Sequence, residues 1–162
     1  MPRVGDVWWT QRIISKKIIA METNVYNTMP NLQLPTQRGL LKILIFGFLT
    51  LGIYPIVVYS LISTEINIVA SRYDGKHTMH FCWIYFIFSW LTLGIAPFVW
   101  VHRICNRIGN ELCRRGIPYS FGALDFWLWG ILGSIIVVGP FIFVHRFLKA
   151  VNLMNADYNV RG

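Results

Sequence analysis

Two short runs in this chain carry the residue types of a metal site. His77, His80 and Cys82 stand within six positions, and His102 and Cys105 lie at helical spacing. Imidazole and thiolate are zinc ligands, but tetrahedral zinc takes about four of them. Neither run supplies four, so no metal is expected. Acid chemistry has one candidate. Glu65, close to Asn67, falls three residues beyond an uncharged stretch. There it could act as a functional acid paired with His102 or Arg103, although its interfacial depth favours a solvated, orientation-setting role. Asn110, next to Glu111, and His145 complete the polar candidates. No glycine-rich phosphate loop, Ser/His/Asp set or carboxylate pair accompanies them, so the residues predict no catalytic group and no cofactor.

The elements that must position these residues repeat. Leu49-Thr50-Leu51-Gly52-Ile53-Tyr54-Pro55 returns 42 residues later as Leu91-Thr92-Leu93-Gly94-Ile95-Ala96-Pro97. The second copy continues through Trp100 to His102-Arg103, and Pro97 to Arg103 recurs 43 residues later as Pro140 to Arg146, with His145 in place of His102 and a glycine, Gly139, before the proline. A fixed period of this kind speaks of architecture, here three units of about 35–76, 77–118 and 119–159. Within each unit a structural break is expected, at Thr50, Gly52 and Pro55, at Thr92, Gly94 and Pro97, and at Gly139 and Pro140. Pro55 has no N–H for the carbonyl of Leu51, so the helix should kink or break there. The hydroxyls of Thr50 and Thr92 are within a turn of the freed carbonyls and could satisfy them. Broken helices bind ions or substrates in transporters. With no acid at that depth, a structural break is the preferred reading.

Composition gives the setting. The chain has 162 residues, of which 55% are hydrophobic and 14% charged, with a mean hydropathy of +0.50. Ile43 to Ile62, Phe81 to Val101 and Phe126 to Val144 hold no charge over 20, 21 and 19 residues, each about the length of a helix that crosses a bilayer core of roughly 30 Å. The net charge of +8 flanks these runs. Basic residues there fix orientation and meet anionic headgroups, and no motif for nucleic acid accompanies them. Three cysteines imply no disulfide framework. Residues 1–34 read as a mobile tail, with Met21 or Met29 as an alternative start. Thr36 is a plausible helix cap, Asp74-Gly75 and Gly116-Ile117-Pro118 are helix stops, and Ile104, Ile108 and Leu112 form an apolar stripe. Gly130, Gly133 and Ser134 suit close helix packing.

The two Thr-Leu-Gly-Ile runs, each leading into a helix with Glu65-Ile66-Asn67 or Asn110-Glu111-Leu112, resemble a family of small, mostly bacterial membrane proteins catalogued as a domain of unknown function, number 4234. The resemblance covers about Leu34 to Asn159 and implies membrane location without known catalytic residues. The expected fold is an all-helical integral membrane protein of three tandem helix–break–helix repeats, each with one kinked transmembrane segment; the rival is a set of re-entrant helical hairpins. Single crossings put 10 Lys/Arg on the side of the N-terminus and residues 102–125 against 5 on the other, an N-inside, C-outside arrangement. The expected function is a non-enzymatic scaffold or partner-binding subunit in a bacterial inner membrane. Its partners would be the lipid bilayer and a membrane protein or a second copy of the chain. The alternative is an oligomeric transporter or channel component whose broken helices line a path.

Overall fold

A computed structural model describes residues 33–162. The expectations for the N-terminal tail and its alternative starts lie outside the described residues, apart from the tail's last two positions. The described chain is helical throughout: α1 (Leu40–Leu49), α2 (Ile53–Asp74), α3 (Phe81–Leu91), α4 (Ile95–Arg114), α5 (Ala123–Ile136) and α6 (Gly139–Arg161). Among the described residues one helix, α2, is long and apolar enough to cross a membrane.

The breaks do not kink one helix; they turn the chain back on itself. Arg38 and Glu65 are 27 residues apart and joined by a 2.7 Å hydrogen bond, whereas one continuous helix would separate them by about 40 Å. The second and third apolar segments close in the same way. The Trp100 indole donates to the Met79 carbonyl at 2.9 Å, and Arg146 meets Asp125 at 2.7 Å. Each uncharged run is therefore a hairpin of a short arm (α1, α3, α5) and a longer helix (α2, α4, α6). The kinked single segment is corrected to the rival hairpin geometry.

The cause is local. At the first break Leu51 and Gly52 are both left-handed, with φ of 50° and 89°, and Leu93 and Gly94 match them at 50° and 88°. Glycine takes such a φ without a Cβ penalty. Two such residues in succession end the arm with a bond across the turn, Gly52 N–H to the Gly47 carbonyl and Gly94 N–H to the Ser89 carbonyl, each 2.7 Å. The threonine serves both helices. Thr50 Oγ1 donates to the Phe46 carbonyl at 2.6 Å and accepts from the Tyr54 N–H at 2.9 Å, and Thr92 repeats both bonds with Phe88 and Ala96 at the same distances. The threonine hydroxyls therefore do not go to the carbonyls of Leu51 and Leu93 that the prolines free; they act as back-bond and cap of a turn. Pro55 and Pro97 have a different role from the one their sequence suggested. Each is the third residue of α2 or α4, in the first turn, where an N–H has no intrahelical acceptor, so the missing donor leaves the helix intact. The third turn is built otherwise. Val137 has φ 61°, and Gly133 and Gly139 bring the arm and the helix into backbone contact. Small residues here close a hairpin from within. The middle turns of α3 (Ile84–Phe88) and α5 (Phe126–Ile131) are π-helical.

The long helices pack on one another through Ile62, Ile66 and Val69 of α2, Ile104, Ile108 and Leu112 of α4, and Leu148, Val151 and Met154 of α6, all essentially inaccessible. Steps of three or four residues put each set on one face, and a buried Leu or Ile contributes about 1.5–3 kcal/mol. The stripe expected at Ile104, Ile108 and Leu112 is part of this core. Each hairpin also grips the start of another. The Asn67 amide pairs with both backbone groups of Thr78, at 2.8 and 2.7 Å, and Asn152 does the same to Arg38, at 2.8 and 3.2 Å. Between the second and third hairpins Gly109 allows the Phe121 backbone to lie directly against α4. α2 ends as expected at Asp74, with Gly75 left-handed, and α4 stops before Gly116. Thr36 is not a cap: α1 begins at Leu40 behind Gly39.

Candidate functional site

The hairpin geometry sorts the side chains by height. Near the turns the surface is apolar. Leu51 and Leu93 are each 94% exposed and Ile135 84%. The charged groups gather at the opposite end, where the arms begin and the long helices finish, and there each described carboxylate is ion-paired with arginine.

Glu65 belongs to the first of these clusters. It is buried, not solvated, and its partners are Arg38, which forks onto both carboxylate oxygens, and Asn155, whose amide donates at 2.8 Å. The same Asn155 amide reaches the Pro35 carbonyl at 2.9 Å. His102 and Arg103 take no part. The group that sequence reasoning read as a candidate acid is therefore a fastener between the start of the first hairpin and the third long helix. Bidentate arginine–carboxylate pairing suits that work.

Arg107 is the second cluster, a residue that its sequence surroundings do not single out. Its Nε and Nη2 bind the Asp74 carboxylate at 2.6 and 3.0 Å. Nη1 reaches Asn67 Oδ1 at 2.6 Å and Thr78 Oγ1 at 2.7 Å, and Nη2 reaches Ser71 Oγ at 2.9 Å and the Lys76 carbonyl. This guanidinium organises the whole connection between the first two hairpins. A signal for it exists in the repeat. Glu65 and Arg107 both stand 13 residues beyond the glycine of their turns, so two equivalent positions hold opposite charges, each buried and each matched.

The third cluster ties α4 to α6. Glu111 accepts from Arg114 at 2.9 and 2.6 Å and from Arg115 at 2.7 Å, and Arg115 reaches Asp157 at 2.8 Å. Burial alone would raise the Glu111 pKa, but the hydrogen bonds from Arg114 and Arg115 outweigh it and hold the carboxyl below its ordinary 4.5. Its stabilising contribution is thus complete above that value and lost as pH falls through the lowered one.

The remaining candidates do not converge. His102 Nδ1 accepts from the Trp127 indole at 3.0 Å, which joins the second and third hairpins. Cys82 pairs with Ser60, its N–H donating to Ser60 Oγ and that hydroxyl to its sulfur, both at 3.0 Å. Cys105 is buried, and burial followed by the charge of Asp125 pushes its thiol pKa up. His77, His80 and Asn110 are exposed. Among the described residues no three His, Cys, Asp or Glu side chains meet around a common point. His145 is exposed beside an open groove of about 440 Å³ that Arg38, Lys149 and Asn152 also line. The arrangement as a whole can hold hairpins together and present a basic face with an apolar opposite end.

A search of curated proteins and a search of solved structures found no match. The family model described as Domain of unknown function (DUF4234) matches residues 38–110, from the arginine that binds Glu65 through both Thr-Leu-Gly-Ile turns and the Arg107 cluster, and it is the family that the sequence resembles.

Proposed function

We propose that this chain is a non-enzymatic membrane scaffold whose three hairpins dip into one leaflet of a bacterial inner membrane from the cytoplasmic side and hold a membrane-protein partner or a second copy. The observation that carries the reading is the exposure of Leu51, Leu93 and Ile135 at the three turns, with the ionic clusters at the far end. An uncharged run of about 20 residues, folded in two, reaches about 15 Å, half of a bilayer core. At the first two turns Thr50 and Thr92 cap the Tyr54 and Ala96 N–H groups and the glycine N–H groups bond across the turn, which lowers the cost of burying that backbone in lipid. The two threonine hydroxyls are each committed to a carbonyl and an N–H of the turn, which favours a structural break over an ion site of a transporter. Basic ends on one face fit the cytoplasmic side. The carboxylates near the helix ends are committed to arginines, which favours a scaffold over an enzyme.

Membrane fractionation of cells tests it. The wild-type chain is expected in the carbonate-resistant membrane pellet. Leu51→Asp with Leu93→Asp, at about 2.5–3.5 kcal/mol per acid placed in hydrocarbon, should release most of it, while Asn110→Asp at the polar end should not. Retention of the double variant in the pellet would contradict insertion through the turns.

A further inference from the structure

The three junctions between hairpins are not equally closed. Ser60 and Cys82 seal the first, and His102 and Trp127 seal the second. At the third, between the start of the first hairpin and α6, the corresponding position is His145, which lines the open groove of about 440 Å³ and has no partner side chain among the described residues. Below the Asn152–Arg38 clamp the groove is lined by Leu40 and Leu148, with Lys149 and His145 at its rim. Lys149 lies over the Tyr119 ring at 5.1 Å and is solvent-exposed, whereas Arg38 is neutralised by Glu65. None of the described lining residues is acidic. An apolar floor with a cation at its rim that no described carboxylate pairs fits an amphiphile with a negative head.

We propose that this groove binds one anionic phospholipid, its phosphate at Lys149 and an acyl chain running from Leu40 toward the turns. The inference rests on the membrane reading above, because it takes its ligand from the bilayer. The surface cation would hold the phosphate by charge and hydrogen bonding, and the lipid would fill the junction that the described side chains leave open.

The test is native mass spectrometry of the full-length protein from dodecyl maltoside with equimolar dioleoyl phosphatidylglycerol and dioleoyl phosphatidylcholine. One phosphatidylglycerol should be retained about fivefold over phosphatidylcholine, the effect of one cation on an anionic headgroup. Lys149→Glu should abolish that preference and Lys149→Arg restore it. Lys76→Glu, outside the groove, should leave it unchanged. Equal retention of the two lipids, or equal loss in Lys76→Glu, would overturn the proposal. Displacement of the lipid by millimolar inorganic phosphate would also overturn it and assign the groove to a free anion. A protein that resists carbonate extraction yet shows no lipid preference loses this inference and keeps the membrane reading.

Discussion

Arg107→Ala should lower the stability of the detergent-solubilised protein by about 3–5 kcal/mol, the range for removing one partner of a buried ion pair. The loss is large because the guanidinium is 8% exposed and meets Asp74, Asn67, Thr78, Ser71 and the Lys76 carbonyl at once. The variant leaves those groups to find water in a closed space, which costs more than the bonds themselves contribute. Arg107→Lys should recover only part, since an ammonium cannot span the same fork of acceptors. Arg161→Ala is the internal control. Its pair with Asp157 is 63% exposed on the arginine side, and exposed pairs contribute about 1 kcal/mol or less. Equilibrium unfolding followed by tryptophan fluorescence measures all three. Equal midpoints for Arg107→Ala and Arg161→Ala would show that the cluster does not hold the first two hairpins together.

Gly139→Ala should be nearly as damaging, for a steric reason. A Cβ there would overlap the Gly133 backbone, and one at Gly133 would approach Gly139 Cα to 2.8 Å. Backbone cannot rotate away as a side chain can, so the third hairpin must open. Overpacking of this kind costs about 1–3 kcal/mol and more where backbone must shift. Gly122→Ala is the comparison, because a Cβ at Gly122 meets nothing within 4 Å. Thermal unfolding should separate the two variants clearly; coincident curves would mean that the third arm does not lie against α6 as described.

The repeat made the boundaries of this fold legible. Thr50, Gly52, Thr92 and Gly94 mark the turns because each residue type has a geometric duty there, and the duplicated sequence produces duplicated dihedrals. The direction of the chain after the turn was not legible. Proline after glycine reads equally as a kink in one helix and as the first turn of the next, and only a long-range contact such as Arg38 to Glu65 separates the two. The polar clusters were hidden for the same reason. Glu65 drew notice as an acid near an apolar run, but its partners come from Arg38 and Asn155, far away in sequence. Arg107 looked like an ordinary charge on an amphipathic face, and its depth emerges only when Asp74 and Thr78 fold over it. Asn152 and Asn155 had no signal of their own, since an asparagine that clamps a backbone is indistinguishable from a solvated one until the backbone is placed.

Sidedness is the most direct test of the central claim, that three hairpins enter the membrane from one face. With Cys82, Cys105 and Cys113 replaced, single cysteines at Lys76, Ser120 and Val160, all exposed at the polar end, are treated with an impermeant maleimide in intact cells and in inside-out vesicles. One-face entry predicts that all three label in inside-out vesicles and none in intact cells. Three alternating crossings would put Lys76 and Val160 on the side opposite Ser120, and that split labelling would contradict the account.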